Sequence, residues 1–340
     1  MFPPKSNTVT GLAHPMPPDP APLEWPVVDW NDLARRLGPD RLAHRLKIQV
    51  SHSHHSFRLR APHRYLQNFT FLQTVAISLL RVTGLYARAR RNYFDLQIRS
   101  HPILLPLLDP IFNGFTLLHL SDLHGDLDPD FILNLIEKLR PLVFDGVVIT
   151  GDFRSRINGD PRPSLQSIRH LTAALARPVY AVLGNHDAIE MVPGLTQVGI
   201  QVLLNEAVLI RRGSAILGLA GTDDPHGYQT EDSRRARAGI PAGVPSIVLA
   251  HSADAYQEAE SVGFDLMLCG HTHAGQICLP GGIPLIRNSK GPRFLFTGPW
   301  RYRRMQGYTS AGTGASGIPV RLNTRPEAVL HRLMSPASLS

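Results

Sequence analysis

Seven residues of metal-ligand type fall in five short blocks: Asp122 with His124, Asp152, Asn185, His251, and His271 with His273. Each block directly follows a short apolar, β-rich run. Residues 115–120 lead into Ser121-Asp122-Leu123-His124, 146–150 into Gly151-Asp152, and 179–183 into Gly184-Asn185-His186-Asp187. Residues 246–250 lead into His251, and 265–269 into Gly270-His271-Thr272-His273. A single Asp or His after a strand is ordinarily a helix cap or a loop hydrogen bond. Five blocks in the same position point to one rim, because ligands of α/β sheets collect at the carboxyl ends of the strands. Carboxylate, imidazole and amide oxygen together suit Mn, Fe or Zn better than Mg or Ca. Seven donors are more than one ion takes while leaving room for substrate, and two ions sharing a bridging carboxylate fit the count. Such a pair offsets negative charge on a bound substrate and activates a water for attack.

The elements that must position these blocks are readable in outline. The five runs, with a sixth at 215–220, alternate with helical patterns at 131–142 and 163–176. That alternation predicts an α/β fold with largely buried strands. Residues 283–333 show strand-like runs at 293–297, 319–322 and 328–333 without evident helices, which suits a second sheet.

Over 112–335 the blocks resemble the five-block pattern of calcineurin-like metallophosphoesterases. Gly221-Thr222-Asp223-Asp224-Pro225 and the stretch from Gly312-Thr313-Gly314 through Pro319-Val320-Arg321-Leu322 to Arg325-Pro326-Glu327 are similar to one bacterial branch. That branch includes membrane-associated phosphodiesterases and a UDP-2,3-diacylglucosamine pyrophosphohydrolase of lipid A synthesis. The resemblance implies a four-layer α/β/β/α sandwich with a dimetal site at its sheet edge. It implies that Asp122, His124 and His273 hold one metal, that Asn185, His251 and His271 hold the other, and that Asp152 bridges. Manganese is the expected ion, with iron or zinc as alternatives. His186 would lie beside the scissile phosphate and protonate the leaving oxygen, and Asp187 would orient it.

Other residues around the blocks carry weaker signals. Arg154 and Arg156 follow the bridging carboxylate and could clamp a second phosphate or a sugar acid, or sit on an exposed loop. The loop 222–244 could be a lid or a surface insertion, and His226 on it could reach substrate or only shape a turn. His52, His54 and His55 read as a solvated loop. Cys269 reads as a core residue, and two Cys in all exclude a disulfide scaffold.

Charge is unevenly placed. Of the net +8, residues 1–112 hold +7, and between Arg35 and Arg91 there are 12 basic residues and one acid, Asp40. Residues 1–30 are Pro-rich and read as a disordered tail. Residues 31–111 read as a basic extension bearing an amphipathic helix at about 65–91 that ends in Arg88, Arg90 and Arg91. A helix lying in an anionic membrane interface, a helix packed on its own protein, and a short tilted span are all compatible with that pattern. A basic arm on a soluble nuclease is the alternative, but Phe57 is the lone candidate for base stacking at 31–64, so nucleic acid is not the expected partner. The longest apolar-leaning run without charge, 65–80, has 16 residues, and no secretory leader is recognisable, so the expected setting is cytoplasmic, peripheral on the inner membrane.

Overall fold

A computed structural model describes residues 24–54, 70–289 and 291–338. The helices, in chain order, are α1 (Trp30–Leu37), α2 (Pro39–His54), α3 (Thr70–Val82), α4 (Tyr86–Phe94), α5 (Pro129–Leu139), α6 (Arg162–Leu175), α7 (Met191–Gln197), α8 (Ser233–Ala238) and α9 (Tyr256–Ser261). The first seven strands are β1 (Gln97–Leu104), β2 (Thr116–Leu120), β3 (Gly146–Thr150), β4 (Val179–Val182), β5 (Ile200–Val202), β6 (Glu206–Arg212) and β7 (Ala215–Gly221). The rest are β8 (Ser246–Leu249), β9 (Leu266–Cys269), β10 (Cys278–Leu279), β11 (Ile283–Pro284), β12 (Gly298–Tyr302), β13 (Met305–Thr309) and β14 (Glu327–Met334).

Two six-stranded sheets result, ordered β1-β14-β2-β3-β4-β5 and β12-β13-β9-β8-β7-β6. The period of two along each strand sets the layers. In β3, Val148 points to the space between the sheets, where it joins Leu117, Val182, Leu219, Ile247 and Leu268. Val147 and Ile149 point the other way, against α5, α6 and α7 through Leu135, Ile168 and Leu195. A third apolar cluster covers the outer face of the second sheet, with Ala236 of α8 and Ala259 of α9. The expected α/β/β/α sandwich is the architecture observed.

The extension expected at 31–111 is built into this sandwich. β1 pairs in parallel with β14, from Gln97 opposite Glu327 to Leu104 opposite Met334. Leu33 and Leu37 of α1 and Leu42 of α2 are buried in the same core as α5 and α6. The single helix expected at 65–91 is two helices within the described residues, and 65–69 lie outside them. Gly84, at φ 71°, ends α3: its N–H meets the Arg81 carbonyl, and the Leu85 N–H reaches back to Leu80. That pair of bonds is the left-handed C-terminal cap that glycine permits.

Two expected strands are corrected. Residues 293–297 hold a short 3-10 helix, Arg293–Leu295, because the Pro292 carbonyl accepts the Leu295 N–H. Residues 319–322 form one isolated bridge, Leu322 to Ile277, since Arg321 turns inward instead of continuing a ladder. The Pro-rich tail to residue 23 and His55 lie outside the described residues, as do the side chains of His52 and His54.

Candidate metal centre

All five blocks meet at one edge of the sandwich. β2, β3 and β4 of the first sheet deliver Asp122, His124, Asp152, Asn185 and His186, while β8 and β9 of the second deliver His251, His271 and His273. Three groups of donors lie within 4.8 Å of one another: Asp122 with His124 and His273, His124 with Asp152 and His186, and Asp152 with His251 and His271. Every one of these side chains is buried.

The backbone turns sharply to achieve this. Asp122, His124, Asp152, His271 and His273 all have φ between 43° and 73°, the left-handed region. For residues other than glycine that conformation costs about 1–2 kcal/mol each, and it persists only where the surroundings enforce it. Room is the second constraint. A side chain at Gly184 would strike the Asp152 carboxylate, and one at Gly270 would strike Ser121 and Asp122.

Hydrogen bonding shows what the cluster can hold. Nδ1 of His124 donates to the Arg154 carbonyl at 2.8 Å, and Nδ1 of His251 donates to the Thr150 carbonyl at 2.8 Å. Each imidazole therefore turns Nε2 inward, where it offers a lone pair to a cation and, at His251 without one, a proton to Asp152. Nε2 of His124 faces Nε2 of His273 at 3.3 Å, and Nε2 of His251 faces Asn185 Oδ1 at 2.9 Å and Asp152 Oδ2 at 3.4 Å. Asp122 Oδ1 lies 3.3 Å from Nε2 of His273 and has no hydrogen-bond partner. Acceptors aimed at acceptors in a buried site require positive charge between them. The donor set fits divalent cations, and imidazoles and oxygens without thiolate suit Mn, Fe or Zn.

The electrostatics agree. Burial pushes His124 down to about 3 and His271 and His273 well below the usual value, which keeps these imidazoles neutral. At Asp152 burial acts upward, but His251, His186 and His124 together hold the carboxyl well below its usual range. At His251 burial acts downward, and Asp152 with Asp122 outweighs it, so its pKa lies well above normal. Burial pushes Asp122 up to about 6, opposed by His251.

Three expectations need correction. Asp187 does not orient His186. Its carboxylate accepts the backbone N–H groups of Gly184, Asp152, Phe153 and Arg154, at 2.8 to 3.3 Å, and so clamps the β3 loop to the β4 loop. Nδ1 of His186 instead donates to the Ser155 carbonyl at 2.6 Å. Arg154 is no substrate clamp, because it is buried and its guanidinium bonds the carbonyls of His186, Gly159 and Ile157. Arg156 is exposed on the same loop. The 222–244 segment is docked rather than hinged: Asp223 and Asp232 are tied to Asn205, and Thr230 bonds Asp223 at 2.6 Å. His226, expected to reach substrate or shape a turn, packs its ring 4.1 Å from that of His271 and bonds Asp254 at 2.7 Å.

Two contributors escaped sequence reasoning. Arg45 of α2 is fully buried and reaches Asp223 and the Asp187 carbonyl. Arg321 bonds the carbonyls of Gly314, Gly312 and His273, which fixes the turn that carries His273. An isolated Arg in a helix or a loop gives no local signal of a distant carbonyl partner.

Residues 115–275 match the family described as calcineurin-like phosphoesterase. The chain is 30% identical over 284 residues to "uncharacterized metallophosphoesterase YkoQ" of Bacillus subtilis, covering 78% of this chain and 100% of that protein. The chain belongs to the calcineurin-like metallophosphoesterases. It is also 30% identical to phosphodiesterase YaeI of Escherichia coli, over 65% of this chain and 82% of that protein. A zebrafish relative named "transmembrane protein with metallophosphoesterase domain" is 29% identical, over 76% of this chain and 61% of its own length. Metal-dependent hydrolysis of phosphoesters is the activity of this metallophosphoesterase, and the buried Asp and His cluster is where its metals can bind.

Proposed function

We propose that this metallophosphoesterase cleaves a phosphodiester or diphosphate bond in an amphiphilic substrate at an anionic membrane surface, with UDP-2,3-diacylglucosamine one candidate. The observation that carries this reading is an apolar rim beside the ligand set. α3 exposes Phe71, Leu72, Val75, Leu79 and Val82, and the β10–β11 hairpin exposes Leu279, Ile283, Leu285 and Ile286. Scattered exposed apolar residues need no explanation, whereas a group of this size marks an interaction surface. Both elements are seated next to the site. Leu80 of α3 and Ala89 of α4 pack with Ile318, Val320, Leu322 and Ile277. Ile277 stands four residues after His273, and Arg321 bonds the His273 carbonyl. Arg81, Arg88 and Arg91 lie along the same two helices and supply charge for anionic headgroups. Among the described residues no helix is long and apolar enough to cross a membrane, which leaves a peripheral mode for this surface.

In this reading Asp122, His124 and His273 hold one cation, Asn185, His251 and His271 the other, with Asp152 between them and Mn²⁺ as the expected ion. Once bound, the cations offset the phosphate charge and activate the attacking water. The protein supplies the rest. Ser155 aims the His186 ring, whose Nε2 stands 3.9 Å from Asp152 Oδ2 at the cation site. There it donates a proton to the leaving oxygen. His186→Ala lowers kcat by about 10²- to 10⁴-fold while metal content stays unchanged. Metal analysis beside turnover of bis-p-nitrophenyl phosphate, after chelation and Mn²⁺ add-back, checks this. Wild-type kcat, or loss of metal from the variant, would contradict it.

Flotation tests the membrane reading. The chain rises with vesicles rich in phosphatidylglycerol, and Leu79→Ser with Val82→Ser and Leu285→Ser stays at the bottom of the gradient. Equal flotation of the two proteins, or flotation of neither, removes the surface from the argument. A panel of UDP-diacylglucosamine, phospholipids, cyclic nucleotides and single-stranded nucleic acid then assigns the substrate class. Preference for nucleic acid would replace the amphiphile.

A further inference from the structure

A second polar system crosses the interior of the sandwich, outside the phosphate chemistry. Its members are His101 on β1, His331 on β14 and His119 on β2, three adjacent strands of one sheet. His101 Nδ1 lies 3.1 Å from His331 Nδ1, and His331 Nε2 lies 3.1 Å from His119 Nδ1. His119 Nε2 is 2.9 Å from Thr150 Oγ1. Thr150 donates to Ser121 Oγ at 2.8 Å, and Ser121 donates to Asp122 Oδ2 at 2.6 Å. His119 and His331 are fully buried, and His101 is partly exposed on the edge strand. The path therefore runs unbroken from the sheet edge to a carboxylate whose other oxygen faces His273.

Chemistry fixes its direction. Asp122 Oδ2 already accepts the His271 N–H at 3.0 Å, so it is an acceptor and the Ser121 hydroxyl donates to it. Ser121 Oγ then accepts from Thr150, and Thr150 Oγ1 accepts from His119 Nε2–H. Burial holds all three imidazoles below their usual pKa, His119 at about 3, so each is neutral near pH 7. A neutral imidazole has one N–H and one bare nitrogen. His119 Nδ1 thus accepts from His331 Nε2–H, and His331 Nδ1 accepts from His101 Nδ1–H. Every tautomer follows from the acceptor at the far end. These imidazoles lie among Leu117, Val148, Leu268 and Val329 of the apolar layer, where aliphatic residues would fill the space without burying polar groups.

We propose that His101, His331, His119, Thr150 and Ser121 form a one-way chain of donors that holds the Asp122 carboxylate turned toward its cation, with His119 as a positioning residue. The proposal rests on reading Asp122 as a metal ligand. Thr150 gives the chain a second point of action, since its carbonyl accepts Nδ1–H of His251. Ser121 and Thr150 each stand one bond beyond a ligand, where a partner typically changes metal affinity about 10- to 100-fold, and His119 acts on both through the Thr150 hydroxyl.

Two measurements decide it. In zinc-loaded protein labelled with ¹⁵N-histidine, two-bond ¹H–¹⁵N correlations show His119 and His331 as Nε2–H tautomers and His101 as the Nδ1–H tautomer. His119 found as Nδ1–H, or as imidazolium at pH 7, overturns the chain. In Mn²⁺ titrations His119→Phe weakens binding about 10- to 100-fold. His119→Gln, whose amide nitrogen replaces Nε2 as donor to Thr150, binds within a few-fold of wild type. Unchanged affinity in the Phe variant, or equal loss in both, assigns His119 to packing and overturns its positioning role. If His119→Phe fails to fold, the tautomers of the wild-type protein still decide. Cation binding without hydrolysis leaves the chain standing, whereas absence of cation binding removes the reading beneath it.

Discussion

Asp152→Asn abolishes phosphoester hydrolysis and depletes bound metal while the protein stays folded. The carboxylate is the one anion between the two ligand groups, with Oδ2 3.4 Å from His251 Nε2 and 3.8 Å from His124 Nε2. Its Oδ1 accepts the His186 N–H at 2.9 Å, a bond that the amide oxygen of Asn keeps. The amide nitrogen then takes the place of Oδ2 and points a donor where a cation requires a lone pair. Without metal this exchange is mild, because the new N–H can donate to His251. With metal it would remove the negative charge by which Asp152 would hold both cations. Metal analysis, turnover and thermal melting of the same preparation separate these effects. Full metal content with wild-type turnover would refute the bridging role.

Arg45→Ala destabilises the protein by about 3–5 kcal/mol, the usual cost of removing one member of a buried ion pair. Nη1 of Arg45 lies 2.7 Å from both Asp223 oxygens, and both side chains are fully buried. Nη2 donates to the Asp187 carbonyl at 2.8 Å, and the guanidinium lies 3.9 Å over the Tyr228 ring. Truncation strands the Asp223 charge and releases the loop that carries Asn185 and His186. Turnover therefore falls as well, although Arg45 touches no substrate. Arg45→Met combined with Asp223→Leu recovers most of the stability, since neither charge is then left alone. Urea midpoints at constant m-value measure this. An unchanged midpoint in Arg45→Ala would show that α2 docks without its ion pair.

Arg45 also changes the meaning of the charge asymmetry. The basic excess between Arg35 and Arg91 suggests an anionic partner outside the molecule. In the fold, Arg36 meets Glu206, Arg41 meets Asp232, Arg45 meets Asp223 and Arg90 meets Asp128. Four of those twelve basic residues join the N-terminal helices to acids of the sandwich. Among the described residues, Arg81, Arg88 and Arg91 lie beside the exposed face of α3 and are the charges that the proposed membrane surface would use.

The cluster of candidate donors was legible because strand ends are local. An apolar run followed by Gly, Asp, Asn or His declares both the strand and the rim it feeds, and parallel order brings such rims together. Family resemblance then sorted the donors into two groups. The roles of Asp187 and Arg154 were not legible, since residue type does not say whether a carboxylate meets an imidazole or four backbone N–H groups. The break at Gly84 carried a local signal, but an apolar stripe continuing on both sides masked it.

The sequence by itself determined the sheet order's raw material, the donors at the strand ends and the chemistry those donors support, because periodicity and residue type act over a few neighbours. Only the tertiary structure decided which arginine meets which acid, that α1, α2 and β1 complete the sandwich, and that three histidines line up behind Asp122. Most of those outcomes depend on side chains distant in sequence sharing one space, and where that space is buried an unpaired polar group is costly enough to select its partner.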